Sequence, residues 1–320
     1  MPRPVDLHPW RDLRSSGMSS RRLQRLLGSA ELVRVRPGVY APGAEWATLA
    51  PEQRIVARAH ALTMVSASRP VFSHETAAAL HGLPLFRPDP QRVHVVTSSE
   101  RPGAAVGLVR HRGDPESDTM VIDGLRCTSI ERTVADVART SVFDAAVVVA
   151  DAALRIRCTA RTGGYDADAA DATRAAVREI AARSAQGGVR ADRVLTFADG
   201  RAQLPGESIS RIRLRQLGFR RIELQVPVPW PGGRPRYYVD FGLDDPGVVA
   251  LGEFDGDAKY VDPQLRGARS TREVVDDEKK REDWIRGRTQ RRFVRWNWTH
   301  VTSSSALGRR LASFGIVPPG

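Results

Sequence analysis

The chain has 320 residues, with 49 Lys or Arg against 37 Asp or Glu, a formal net charge of +12 and an isoelectric point near 10.7. That length permits two or three compact domains, and the cationic excess favours a polyanionic partner, because guanidinium groups displace counterions from phosphates. Two cysteines, Cys127 and Cys158, stand in no C-x-x-C pair and at no zinc-like spacing, which argues against a disulfide framework and for a reduced compartment.

Only three basic residues are lysines, Lys259, Lys279 and Lys280. A GC-rich genome accounts for the preference for arginine, but codon bias does not by itself create an excess of base over acid. The first twenty residues lack the apolar core of a signal peptide. No later run approaches the roughly 20 apolar residues of a membrane span. The expectation is a cytoplasmic protein with no membrane association.

In chain order, residues 5–41 predict helix, turn, helix and hairpin. Gly17-Met18-Ser19 forms the turn, and Ser19 or Ser20 caps a helix running to about Leu27. Arg21, Arg22 and Arg25 project from that helix beside apolar Leu23, Leu26 and Leu27. The alternation Leu32-Val33-Arg34-Val35-Arg36 closes at Pro37-Gly38 and returns through Val39-Tyr40, as a two-stranded wing does. A helix with a basic outer face next to a basic wing is the winged-helix arrangement: the helix reads base edges in the major groove and the wing adds phosphate contacts. Arg21, Arg22, Arg25, Arg34 and Arg36 are therefore the expected DNA-binding residues. The same scaffold also serves protein contacts in other settings.

Between about Pro51 and Arg155 the pattern predicts helices at 51–66 and at His74–His81, strands near 92–97 and 106–111, a hairpin around Asp123-Gly124, and helices from 129 to 155. His74 and His81 lie seven apart on one helical face without an adjacent carboxylate pair, and read as capping and packing residues rather than metal ligands. The segments SHETAAALHGLPL (73–85), VHVVT (93–97), DGLRCTSIERTVADVAR (123–139) and DAALR (151–155) resemble the AbiEi-type antitoxin and transcriptional-regulator family. That resemblance, over roughly the first 155 residues, implies a DNA-binding autorepressor and a cognate toxin as protein partner.

Residues 161–172, RTGGYDADAADA, read as a linker, and SAQGG (184–188) as a second break. Beyond them an α-β-β-β-α-β order is expected: a helix at 207–217, strands near 221–228, 236–243 and 247–255, a charged helix near 270–288, and a strand at 291–298. This order, with Glu207, Gln225, Asp240, Glu253, Asp255 and the run FVRWNWTHV (293–301), resembles the PD-(D/E)XK restriction-endonuclease-like superfamily, and within it domains related to very-short-patch-repair endonucleases.

The resemblance implies hydrolysis of a phosphodiester with Mg2+ (or Mn2+), hard cations that want oxygen ligands. Asp240, Glu253 and Asp255 are the expected metal ligands. Glu253 and Asp255 are two apart and share a strand face. Glu207 is expected to add a carboxylate or hold a metal-bound water, Lys259 to orient the nucleophile, Gln225 to position one of these groups, and Arg281 to face the cleft. The sequence departs from the family pattern where E-x-K reads Glu253-Phe254-Asp255, which puts the lysine's role in doubt.

The expected class is thus α/β, α+β overall. The winged helix occupies 1–45, an AbiEi-like middle domain 46–158, a linker and helical segment 159–200, and an endonuclease-like domain 201–320. Two functions stay open: a metal-dependent endonuclease, and a repressor or antitoxin with a catalytically silent nuclease fold.

Overall fold

The computed structural model describes residues 3–99, 105–159, 164–229, 237–256 and 271–320, the last stretch with side chains from residue 280 on. Among the described residues, twelve helices and three sheets make a mixed α+β protein of two compact units, Met1–Gly200 and Arg201–Gly320. No helix among the described residues is long and apolar enough to cross a membrane.

The first unit begins with β1 (His8–Pro9), α1 (Trp10–Ser15), α2 (Ser20–Gly28), β2 (Leu32–Arg36) and β3 (Val39–Pro42). The strands form one antiparallel sheet in the order β1-β3-β2. Ser19 caps α2 by accepting the Arg22 N–H at 3.2 Å, which satisfies one of the orphan donors of the first turn. After α3 (Gly43–Thr48) comes α4 (Pro51–Val65). Val35, Val39 and Ala41 of the sheet pack in one apolar cluster with Leu49, Ala57 and Ala61. Residues 1–45 therefore share a core with the segment that follows them.

A five-stranded sheet comes next, built from β4 (Val71–Phe72), β5 (Val93–Thr97), β6 (Leu108–Arg112), β7 (Thr119–Ile122) and β8 (Leu125–Thr128), in the order β6-β5-β4-β8-β7. Asp123 and Gly124 join β7 to β8 with φ of 47° and 78°. Two consecutive positive φ values in a two-residue loop are what a type I′ hairpin turn demands. Helix α5 (His74–Leu80) follows β4, and α6 (Ile130–Thr140) and α7 (Phe143–Cys158) follow β8. The stretch read as linker and helical segment forms α8 (Ala167–Ala182) and α9 (Gly188–Phe197), and both pack against α6 and α7. Their buried faces are mainly alanine and valine, Ala170, Val177, Ala181, Ala191 and Val194. Small side chains let these helices approach closely while giving only a weak apolar pattern in the sequence.

The second unit runs α10 (Pro205–Gln216), β9 (Ile222–Val228), β10 (Tyr237–Asp245), β11 (Val248–Phe254), α11 (Thr271–Thr289), β12 (Arg292–Trp296) and α12 (Ser304–Ala312). Its sheet order is β12-β11-β10-β9, antiparallel except for the parallel pair β11 and β12. Trp296 is almost fully buried and donates its indole N–H to the Ser210 hydroxyl at 2.7 Å, pinning β12 to α10. Its ring lies so close to Gly252 that a Cβ there would sit 2.2 Å from it, so only glycine fits on β11 at that point. Asp245 is buried and accepts the backbone N–H groups of Arg220 and Arg221 at 3.0 and 3.1 Å.

Candidate functional site

In the second unit the strand register gathers three of the expected residues, Gln225, Asp240 and Glu253, into one row. The antiparallel pairing of β10 and β11 ends at Phe241↔Gly252, so Asp240 and Glu253 are the next residues across from each other. On the other side of β10, Val239↔Val226 and Phe241↔Leu224 bracket Gln225, which lies opposite Asp240. The parallel register places Arg295 beside Glu253. Gln225 holds a φ of +54° within β9. A non-glycine residue in that region inside a strand is strained, and such strain concentrates at functional sites.

Glu207 completes the group from the first turn of α10. It is 2% exposed, and its Oε2 accepts the Gln203 backbone N–H at 2.9 Å and the Gln225 side-chain amide at 3.2 Å. Gln203 also donates its side-chain amide to Gln225 Oε1 at 3.1 Å. Asp240 is half-buried and accepts the Phe254 N–H at 2.8 Å, which continues the ladder where regular pairing stops. Asp255 is half-buried and donates its backbone N–H to the Trp296 carbonyl at 2.7 Å. Lys259 lies outside the described residues.

Glu253, 7% exposed, is held by arginine. Arg281 of α11 reaches both carboxylate oxygens, Nη1 to Oε2 at 3.0 Å and Nη2 to Oε1, and Nη2 also donates to the Tyr238 carbonyl at 2.8 Å. The Arg295 Nε stands 3.3 Å from Oε2. A buried carboxylate needs a partner, a metal or a shifted pKa, and here the partner is a two-pronged guanidinium, the strongest pairing available to it.

The oxygen donors of this row suit a hard divalent ion in kind. In this arrangement, however, both Glu253 oxygens are engaged by Arg281. Among the described residues no group of three or more His, Cys, Asp or Glu side chains is placed to hold a metal ion.

In the first unit, Arg21, Arg22 and Arg25 are exposed on α2 while Leu23 is buried beneath them. Arg34 is exposed on β2, and Arg36 is half-buried at its end. Burial, followed by the charge of Arg110, lowers the Arg36 pKa from the usual arginine value.

His74 and His81 do not act together. The His81 Nε2 lies 2.8 Å from the Thr128 carbonyl, whereas His74 stacks on His111 with ring centroids 3.5 Å apart, and His111 lies 2.9 Å from His94 through ring nitrogens. Burial first, and then the neighbouring charges, push His94 and His111 down to about 4. Sequence reading missed this stack because its members come from α5, β5 and β6. It also missed Gln203. The Arg281–Glu253 pair spans 28 positions and was accessible only through the nuclease resemblance.

A scan against models of known protein families returns no match. The chain is similar to the uncharacterized protein MT2308 of Mycobacterium tuberculosis strain CDC 1551 / Oshkosh and to the uncharacterized protein Rv2248 of strain H37Rv. Each match has 30% identity over 233 residues and covers 73% of this chain and 78% of the relative. By that identity and coverage, the chain belongs to the family of MT2308 and Rv2248.

Proposed function

We propose that the chain is a DNA-binding protein in which a winged helix, α2 with the β2–β3 wing, grips the duplex and a restriction-endonuclease-like second unit acts on the phosphodiester backbone. The observation that carries the reading is the row Gln225, Asp240, Glu253, with Glu207 hydrogen-bonded to Gln225 behind it. Two carboxyls and an amide at adjacent strand positions around a strained backbone, with a third carboxyl brought up by α10, are more than a sheet needs for stability. The exposed arginines of α2, opposite a buried leucine, supply the polyanion-binding face.

Mg2+ or Mn2+, when bound, lowers the pKa of an attacking water and neutralises the charge that builds on the phosphate. Asp240, Glu253 and Asp255 are the residues that would hold it. Glu207 and Gln225 orient that group, and Arg281 must release Glu253 before its carboxylate is free to serve. Lys259 remains the candidate for orienting the nucleophile.

The Arg281 clamp favours a second reading: an AbiEi-like repressor or antitoxin, with a cognate toxin as partner, whose nuclease fold is retained without turnover. The test is cleavage of supercoiled, linear and single-stranded DNA with Mg2+ or Mn2+ against EDTA, using wild type, Asp240→Ala and Glu253→Ala. Cutting by wild type that either substitution abolishes establishes the nuclease. Duplex binding in EDTA without cutting on any substrate establishes the repressor reading.

A further inference from the structure

The DNA-facing residues identified from the sequence all lie on α2 and β2, yet the first unit carries a second concentration of cations next to the wing. Arg36 closes β2, Arg54 and Arg58 lie on α4, and Arg110 lies on β6, an edge strand of the five-stranded sheet. His94 and His111 take the side of that sheet where His74 of α5 lies. Strand alternation therefore turns Arg110 to the opposite side.

Electrostatic coupling links these arginines in a chain: Arg110 acts on Arg36, and Arg36 and Arg54 both act on Arg58. After burial, these like charges lower the pKa of Arg36 and Arg58. The one acid that acts against this on Arg58 is Asp89, which is itself paired with Arg92 at 3.0 Å.

Arg54 and Arg58 are held in place. Arg58 donates from Nη1 to the Val35 carbonyl of β2 and lies over the Trp46 ring at 5.3 Å, and Arg54 donates from Nη2 to the Ala47 carbonyl at 3.2 Å. The Nε atoms of Arg54 and Arg58 are nevertheless buried without a hydrogen-bond partner among the described residues. Holding half-buried guanidinium groups of like charge close together is unfavourable unless an anion offsets their charge.

We propose that Arg36, Arg54, Arg58 and Arg110 form a backbone-phosphate site that extends the DNA footprint from the wing onto α4 and β6. This rests on the DNA-binding reading above and adds a ligand class to residues outside the winged helix. The occupant is duplex phosphate because the cluster is continuous with β2: Arg34 and Arg36 sit on one strand, and Arg58 is bonded to the residue between them. Contacts of this kind position the protein and carry no sequence information.

The test is fluorescence anisotropy of labelled duplexes with the full chain in EDTA, titrated with salt, comparing wild type, Arg110→Gln, Arg54→Gln and Arg21→Gln/Arg25→Gln. Thermal melting checks that each variant is folded. For Arg110→Gln, and separately for Arg54→Gln, the slope of log K against log salt becomes shallower by about 0.9 per phosphate contact removed. Affinity falls by the same factor for every duplex sequence. If both single variants keep the wild-type slope while Arg21→Gln/Arg25→Gln abolishes binding, the phosphate site is wrong and the DNA-binding reading stands. If wild type binds no duplex, the reading fails and takes this proposal with it. Inorganic phosphate at matched ionic strength leaves the complex intact; displacement by it would assign the cluster to free phosphate and overturn the DNA-backbone assignment.

Discussion

The arginines of α2 and the arginines around Glu253 are the same residue type in opposite circumstances. Arg21, Arg22 and Arg25 are exposed, while Arg281 and Arg295 close on a carboxylate that is 7% exposed. A net charge of +12 counts the two sets alike. The first set is open to solvent and contributes little to folding; the second compensates a buried charge and leaves little net field. Overall charge thus admits an anionic ligand, and burial says which arginines are exposed to meet it.

The sharpest way to break this contrast is to remove one side of the buried pair. Arg281→Ala leaves Glu253, among the described residues, with the longer contact from Arg295 and destabilises the second unit by about 3 kcal/mol, because a poorly compensated buried carboxylate retains most of its desolvation cost. Urea denaturation followed by tryptophan fluorescence reads it. Arg281→Met combined with Glu253→Leu recovers most of that loss, since neither charge is then buried. If the single substitution is silent, Glu253 does not depend on Arg281. Metal binding carries a second readout: Arg281→Ala increases the thermal shift produced by Mn2+ if Glu253 is the ligand that the nuclease reading requires.

A smaller effect separates the two units by pH. His94 and His111 have folded pKa values near 4 against an ordinary 6.5, so the unfolded chain binds more protons between those values and stability falls as pH drops from 6.5 toward 4. His74, also held below its ordinary value by burial and its histidine neighbours, works in the same direction. Asp136, raised to about 6 by burial, opposes them: its contribution is complete below 3.8 and is lost as pH rises through 6. Three histidines outweigh one carboxyl, so the first unit loses stability on acidification from pH 7 to pH 5. Melting curves of His94→Gln/His111→Gln show a flatter acid limb; an unchanged limb would locate the sensitivity elsewhere.

What the sequence shows depends on how far apart the interacting residues lie. Ser19 and the α2 helix, the Pro37-Gly38 turn and the Asp123-Gly124 hairpin are local, and the structure places them where their residues predict. The α-β-β-β-α-β order of residues 205–296 is also visible, because period-two apolar runs alternate with turn residues. The partners of buried charges are not local. Glu253 meets Arg281 of a charged helix 28 positions away, and the histidine stack joins residues 74, 94 and 111. The +54° φ of Gln225 has no sequence signature either, since glycine or asparagine would be expected there.

The smallest expected effect tests the exposed side of the comparison. Ser19→Ala removes the side-chain acceptor of the Arg22 N–H and should cost about 1 kcal/mol of stability by fraying the first turn of α2. Arg21→Ala/Arg25→Ala should change stability by less than about 0.5 kcal/mol, because neither side chain is buried. In the DNA-binding reading the ranking by affinity is reversed: the arginine pair loses duplex binding, and Ser19→Ala weakens it only to the extent that the first turn of α2 is disordered. Measuring stability and anisotropy on the same two proteins separates a helix that is merely folded from one that is used. If both variants lost affinity only in proportion to stability, α2 would be a scaffold and the exposed arginines an ordinary solvated face.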